Sequence, residues 1–257
     1  FTYQDAEGNT LTGEARERAE ALVLPPAWTD VWICEKPDGH LQATGVDEAG
    51  RTQYRYHPDW RLHCEQGKFS DMKSFGEALP RLRKRVREVL DNPQDHAELA
   101  TAAIVRILDK GALRIGSERY AETGAFGAST LYKRHVRQTG DDTVRLKFKG
   151  KGGKQQEISI CDASLVAAVS ELQCLKGQSL FNTPDGHVGS TQVNRFIQRV
   201  ADGSFTAKDF RTWGGSVAAI KALRKGADSI KAVSEAAADH LGNTPTIARN
   251  SYIHPRV

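Results

Sequence analysis

Apolar residues recur along the chain with two different periods, and the change of period divides it. Near the N-terminus Thr12 stands where it can cap GEARERAEALVL, whose acidic first turn suits a helix start, and Pro25-Pro26 end that helix. DVWICEKPDGHLQATGVDEAGRTQYRYHP then alternates short strand-like runs with turns at Pro37-Asp38-Gly39 and Glu48-Ala49-Gly50. From about Asp71 the period lengthens. In FGEALPRLRKRVREVL, Leu79, Leu82, Val86 and Leu90 fall at three- and four-residue steps, with Arg and Lys on the other face. DHAELATAAIVRILDKGALRI is longer and more apolar, which predicts a central buried helix. One segment, TVRLKFKGKGGKQQEISI, breaks the helical texture. Val144, Leu146 and Phe148 alternate with Arg145, Lys147 and Lys149, and a second alternating run, Glu157 to Ile160, follows Gly150, Gly152 and Gly153. This predicts a β-hairpin with a glycine and lysine tip. The expected fold class is α+β: a small N-terminal β-sheet domain over residues 1–75, then a larger, mainly α-helical domain over residues 76–257 carrying the hairpin. No internal repeat or low-complexity segment interrupts either part.

Composition changes this picture little. Of 257 residues, 39 % are hydrophobic and 26 % charged, values of an ordinary folded protein rather than a disordered or fibrous one. No apolar run approaches the ~20 residues needed to cross a bilayer, and the opening FTYQDAEGNT lacks the pattern of a signal peptide. A cytoplasmic protein without a membrane partner is expected. The chain opens without Met, as a fragment or processed form would. Cys34, Cys64, Cys161 and Cys174 are scattered, with no metal-type spacing, so reduced thiols are expected. His63 beside Cys64 makes only half of a zinc site, which needs four ligands, and no metal is expected. Charge is more informative. The net value is +4, yet residues 1–74 hold eight basic against 13 acidic side chains, a balance of −5, which leaves +9 on the rest. Such a basic segment fits a nucleic-acid partner as well as a coat of solvated lysines.

The candidate chemistry begins at the hairpin tip. KGKGGK fails the pattern of a nucleotide-binding loop, because Lys154 is followed by Gln155 and the loop joins two strands. No nucleotide is expected, and Lys151 remains as a lysine on a tip, a solvated turn residue when read alone. RIGSERY places Arg114 near the end of an apolar helix, where a permanent cation needs an anionic partner or an escape to solvent. AKDFRTWGGS sets Lys208 and Arg211 three residues apart, neighbours on one face of a helix and, alone, an ordinary exposed pair. SIKAVSEAAADHLGNTPTIARNSY reads as a helix–turn–helix, with a turn at Gly242 and a second helix opening at Thr244-Pro245. On that reading the protein binds DNA without chemistry. Asp141-Asp142 read as turn residues. Tyr252, among small and polar residues, is by itself a packing or surface residue.

Taken together, these residues run Arg114, Lys151, Lys208-x-x-Arg211, Asn243 and, nine positions later, Tyr252. That order resembles the active-site order of the type IB DNA topoisomerases, in particular the small poxviral and bacterial group. The family pattern is an Arg in an RIG segment, a Lys on a GK hairpin, KxxR, then a His followed nine positions later by the nucleophilic Tyr. RTQYRYHPDW is similar to that family's QYxY DNA-contacting strand, and Tyr120 matches a family tyrosine near the first arginine. The resemblance thus covers most of the chain. It departs at one position, where Asn243 stands for the histidine. Asparagine there, with the YIHP ending, is similar to a bacterial subgroup. An amide can donate to a phosphate oxygen but brings no charge. His240 lies three residues too early to take the histidine's place directly.

The resemblance implies a monomer, associated with the nucleoid, that relaxes supercoiled duplex DNA through a 3′-phosphotyrosyl intermediate, with no nucleotide, cofactor or metal. Tyr252 would be the nucleophile, conserving the phosphodiester energy in an ester. Arg114 and Arg211 would grip the non-bridging oxygens, and Asn243 would add a neutral donor. Lys151 would protonate the 5′-oxygen as it leaves, with Lys208 as second candidate or relay. Gln53, Tyr54 and Tyr56, with Arg51, Arg55 and Arg61, would contact DNA from a strand edge, and two lobes would clamp the duplex. In a strand Gln53 and Arg55 face one way and Tyr54 and Tyr56 the other, so not all of them can touch DNA together, and DNA contact and core packing both stay open for the tyrosines. Two alternatives stand beside this reading: a tyrosine recombinase, which usually carries HxxR, and the non-catalytic helix–turn–helix binder.

Overall fold

A computed structural model describes residues 2–64, 67 and 69–257 in full, and the backbone alone of residues 65, 66 and 68. The chain forms two compact units, one up to Lys68 and one from Phe69 to Val257. The texture of the sequence places the change near residue 75. Phe75, 1 % exposed, belongs to the core of the second unit, which draws the segment before it into that unit.

The first unit carries α1 (Gly13–Ala21) and three strands, β1 (Thr29–Ile33), β2 (Leu41–Val46) and β3 (Thr52–Tyr56). These form one antiparallel sheet in chain order, with Trp32 opposite Thr44 and Thr44 opposite Tyr54. Thr12 occupies the N-cap position of α1, but its side chain makes no capping hydrogen bond. Trp28 covers Gly45: a Cβ there would lie 2.6 Å from the indole. That packing fixes which face of the sheet is covered and turns the alternate positions of β3 outward.

α2 (Pro58–Ser70) is followed by α3 (Met72–Asp91) and α4 (His96–Gly111). The apolar stripe Leu79, Leu82, Val86 and Leu90 is buried as its spacing predicts, and α4 is buried along nearly its whole length. Asp95 caps α4, its carboxylate accepting from the Glu98 N–H at 2.7 Å. Arg106 of this buried helix is neutralised by Asp162 at 3.3 Å. α5 (Glu118–Glu122) precedes a second antiparallel sheet, β4 (Val136–Gln138), β5 (Thr143–Lys149) and β6 (Gln155–Cys161). The expected hairpin is β5–β6, paired from Thr143–Cys161 to Lys149–Gln155. β4, only three residues long, lies too short in the sequence to show a period. Then come α6 (Ala163–Cys174), a minor hairpin of β7 (Asn182–Thr183) and β8 (Gly186–His187), α7 (Ser190–Ala201), α8 (Ala207–Arg224), α9 (Ile230–Leu241) and α10 (Pro245–Tyr252). One large core unites α3, α4, α6, α7 and the inner face of β5–β6. A smaller one joins Ala112 and Ala219 to Val233, Ala237, Ala238, Leu241 and Ala248, with Tyr252 packed against it. No described helix is long and apolar enough to cross a membrane.

Candidate active site

Three chain segments converge beside the smaller core. The first is the exit from α4. Ala112 takes a left-handed conformation at φ 46°, which closes the helix and turns the chain sharply. Arg114 follows, half-buried, its carbonyl accepting from the Ala128 N–H at 2.8 Å. A Cβ on Gly127 would lie 2.6 Å from that carbonyl, so only glycine lets the two backbones approach this closely.

The second segment is α8. Thr206 and Asp209 form a capping box at its start, the Thr206 N–H donating to Asp209 Oδ2 at 2.6 Å. One turn in, Arg211 points inward and is 4 % exposed. It donates to the Ala112 carbonyl, to the Leu241 carbonyl at 3.1 Å and to Asn243 Oδ1 at 3.3 Å. KDFR read by itself makes it one of an exposed pair. Lys208 is exposed and Arg211 is not, because α4 and α9 supply carbonyls on one side of α8 only. Gly214 and Gly215 let the other helices close on this point. A Cβ on Gly215 would lie 2.9 Å from the Tyr252 Cβ, and one on Gly214 would lie 3.0 Å from His240 Nε2. Ser216 then donates to the Tyr252 carbonyl at 3.0 Å and accepts from the His254 N–H at 3.0 Å. These small residues escape a search for ionisable groups. The glycine pair inside RTWGGS is their only sequence signal, since glycine in a helix interior calls for a packing reason.

The third segment is the pair α9–α10. Gly242 caps α9 at φ 61°, and the Asn243 N–H donates to the Ala238 carbonyl at 3.0 Å. Thr244 caps α10, and Pro245 opens it. The expected helix–turn–helix is present, but its turn carries a polar side chain into the cluster. Asn243 Oδ1 accepts from Arg114 Nη2 at 2.9 Å as well as from Arg211. Tyr252, the last residue of α10, lies under the Arg211 guanidinium, 5.0 Å from it to the ring centroid. Arg211 therefore meets both ends of the nine-residue interval between Asn243 and Tyr252.

The electrostatics follow from two cations held close together. Burial first, and the neighbouring Arg114 charge second, push Arg211 below its ordinary value, while a hydrogen bond and charge interaction with Tyr252 pull the other way. Guanidinium is basic enough to stay charged. Two cations at one amide oxygen repel, so the place invites an anion. Since arginines only donate, the amide must turn its oxygen to them, which leaves its NH₂ on the other side. Asn243 Nδ2 and Arg211 Nε are buried donors without a protein partner. A phosphate oxygen would satisfy both. His240 does not bring a third cation: desolvation, then Lys221 and Arg211, lower its imidazole below the usual value.

The remaining predicted residues stand elsewhere. Lys151 is exposed at the hairpin tip, in a short 3₁₀ turn between Gly150 and two left-handed glycines. Tyr120 is exposed on α5. In the first unit Tyr54 and Tyr56 are exposed, not core residues, and stack on each other at 6.1 Å. Trp32, exposed and on the same face through Thr44, extends that aromatic row, and no sequence motif marks it because it lies on another strand. Arg55 is exposed. Gln53 and Arg51 instead donate to Asp47 Oδ2, at 2.9 and 2.8 Å, and the Arg51 guanidinium holds the Asp47 carboxyl down at about 2.

Known proteins share the sequence of this chain over most of its length. A family model described as eukaryotic DNA topoisomerase I, catalytic core, matches residues 58–248. Another, bacterial DNA topoisomerase IB, N-terminal domain, matches residues 1–47. A DNA topoisomerase 1B of Acanthamoeba polyphaga mimivirus is 31 % identical over 234 residues, covering 87 % of this chain and 69 % of that protein. Among solved structures, the XerH site-specific recombinase in its post-cleavage complex with difH is 15 % identical at a TM-score of 0.46. The likeness covers 66 % of this chain and 47 % of the recombinase, so this chain spans about half of that protein's length. From the two family models and the viral relative it follows that the chain belongs to the type IB DNA topoisomerase family, isomerases that act on duplex DNA and relax its supercoils.

Proposed function

We propose that Tyr252 opens one DNA strand by direct attack and that Arg114, Arg211 and Asn243 form the grip on the phosphate. The catalytic-core match ends at residue 248, before Tyr252, so the assignment rests on the site's own geometry. One observation carries it: a single amide oxygen shared by two arginines, one of them stacked on the Tyr252 ring. The Tyr252 hydroxyl loses its proton to solvent as its oxygen bonds to phosphorus. The bond from phosphorus to the 5′-oxygen breaks, and Lys151 gives that oxygen a proton. The strand is left as a 3′-phosphotyrosyl ester with a free 5′-hydroxyl. Rotation of the DNA releases supercoils, and the hydroxyl then attacks the ester in reverse. Energy is conserved throughout, so ATP has no part.

Charge growing on the non-bridging oxygens meets preorganised donors, with Arg211 buried and Arg114 and Asn243 half-buried, and such partly desolvated donors count for more than in water. Arg114 and Arg211 supply the positive charge that a divalent metal would otherwise bring. Asn243 Nδ2 adds the donor that the family's histidine supplies. Lys208, exposed at the first turn of α8, serves as a relay to the leaving oxygen. Tyr54 and Tyr56 of the first unit, with Trp32 on the same face, contact the duplex, and Tyr120 does so from the second unit. Gln53 and Arg55 belong to the opposite face of β3, where Gln53 and Arg51 are held by Asp47. The protein works as a monomer on nucleoid DNA. The test is a supercoiled plasmid with chelator and no ATP. The native chain gives a ladder of relaxed topoisomers, and Tyr252→Phe gives none while still binding DNA. Relaxation by the phenylalanine variant would overturn the assignment.

A further inference from the structure

The inner face of β6 reads Ile160, Ile158, Gln156 toward the hairpin tip. The two isoleucines pack on the end of α4, where a Cβ on Gly111 would lie 3.6 and 3.7 Å from them. The third position continues the stripe with a polar residue, directly opposite Phe148 in the ladder. Gln156 is half-buried, and its amide lies against Gly242: a Cβ there would sit 2.1 Å from Oε1 and 2.9 Å from Cδ. Its stem crowds a second glycine, since a Cβ on Gly150 would lie 3.1 Å from Gln156 Cγ. Each glycine immediately precedes a residue of the proposed chemistry. Gly150 precedes Lys151, and Gly242 precedes Asn243. Gly242 also needs its positive φ to turn the chain, but Gly150 has no such need, and space is what its lack of a side chain provides.

We infer that Gln156 is a positioning residue that locks the Lys151 hairpin onto the Gly242-Asn243 turn, so that proton donor and phosphate grip are held in one register. The inference rests on the reading of Lys151 as the acid. A hairpin tip rich in glycine has many conformations, and a loss of placement near 1 Å is enough to slow a reaction roughly a hundredfold. Gln156 does not touch the reacting atoms. It limits where the tip can go.

The measurement is single-turnover cleavage of a DNA duplex, ordinary or with sulfur replacing the 5′-bridging oxygen at the cleaved bond. A thiolate leaves without a proton, so the sulfur substrate does not need the acid. Gln156→Ala is expected to slow cleavage of the ordinary duplex by roughly ten- to a hundredfold, with most of the loss restored by sulfur and with Tm and DNA affinity close to native. Combined with Lys151→Ala, it is expected to slow the reaction no further than Lys151→Ala alone. A Gln156→Ala variant that cleaves both substrates equally slowly, or that slows the Lys151→Ala background as much as the native chain, would overturn the inference. Failure of the acid assignment looks different: Lys151→Ala itself would gain nothing from sulfur. The double variant still judges Gln156 in that case, by whether the two losses coincide or multiply.

Discussion

Arg211 and Lys151 are assigned to the same phosphate, yet the fold treats them in opposite ways. Arg211 is 4 % exposed, tied to two backbone carbonyls and one amide from the exit of α4 and the α9–α10 turn. Lys151 stands at the surface on a three-residue turn beside two glycines at positive φ. The difference matches the tasks. A guanidinium that stabilises charge works best when it is already in place and cannot reorganise. A proton donor must approach a leaving oxygen, give up its proton and take one back when the strand is resealed, which needs access to water. Burial suits the first task and would lower the charge on a lysine set to the second.

The comparison predicts that the two cations fail differently when removed. Lys151→Ala should slow cleavage by roughly 10²–10⁴ while leaving the melting temperature unchanged, as single-turnover kinetics and calorimetry would read. Arg211→Ala should slow cleavage by about 10²–10³ and also destabilise the fold. It strands the carbonyls of Ala112 and Leu241, at about 1–3 kcal/mol each, which in a unit of this size lowers Tm by roughly 5 °C or more. Equal thermal shifts for the two variants would erase this distinction between the two cations.

How far the sequence carries this account depends on which physical signal each part leaves. The buried stripe of α3, the apolar α4 and the β5–β6 hairpin each write their period into the chain, and each is found where that period places it. The order Arg114, Lys151, Arg211, Asn243, Tyr252 is legible because the resemblance supplies it. Spacing says nothing about which way a helix is rotated. Lys208 and Arg211 lie three residues apart, and only the carbonyls at the ends of α4 and α9 decide that one faces in and the other out. For Tyr54 and Tyr56 the alternation of β3 gives parity but not the covered side, which Trp28 over Gly45 decides. Ser216 and Gln156 act through contacts far away in sequence, and such contacts leave no period.

Asn243 sits between the two extremes, on a turn but fixed by both arginines. Asn243→Ala should lower cleavage by roughly ten- to a thousandfold, and Asn243→His should retain or raise it, since an imidazole fills the same place and can carry charge. An alanine variant with an unchanged rate would remove Asn243 from the site. The smallest effects belong to the first unit. Tyr54→Ala should weaken DNA binding by roughly two- to tenfold, as for an ordinary interface residue, with the cleavage rate of bound DNA unaltered. A rate change at saturating DNA would mean that the exposed aromatic face does more than hold the duplex.

The central claim is that the covalent link to DNA forms on Tyr252. Cleavage of a suicide duplex that loses the short fragment carrying the 5′-hydroxyl would trap the adduct, and trypsin would then release residues 250–256, which hold one tyrosine. Mass spectrometry is expected to find the nucleotide remnant on that peptide, through phosphorus to Tyr252. A remnant on any other peptide, or full adduct formation by Tyr252→Phe, would contradict the account.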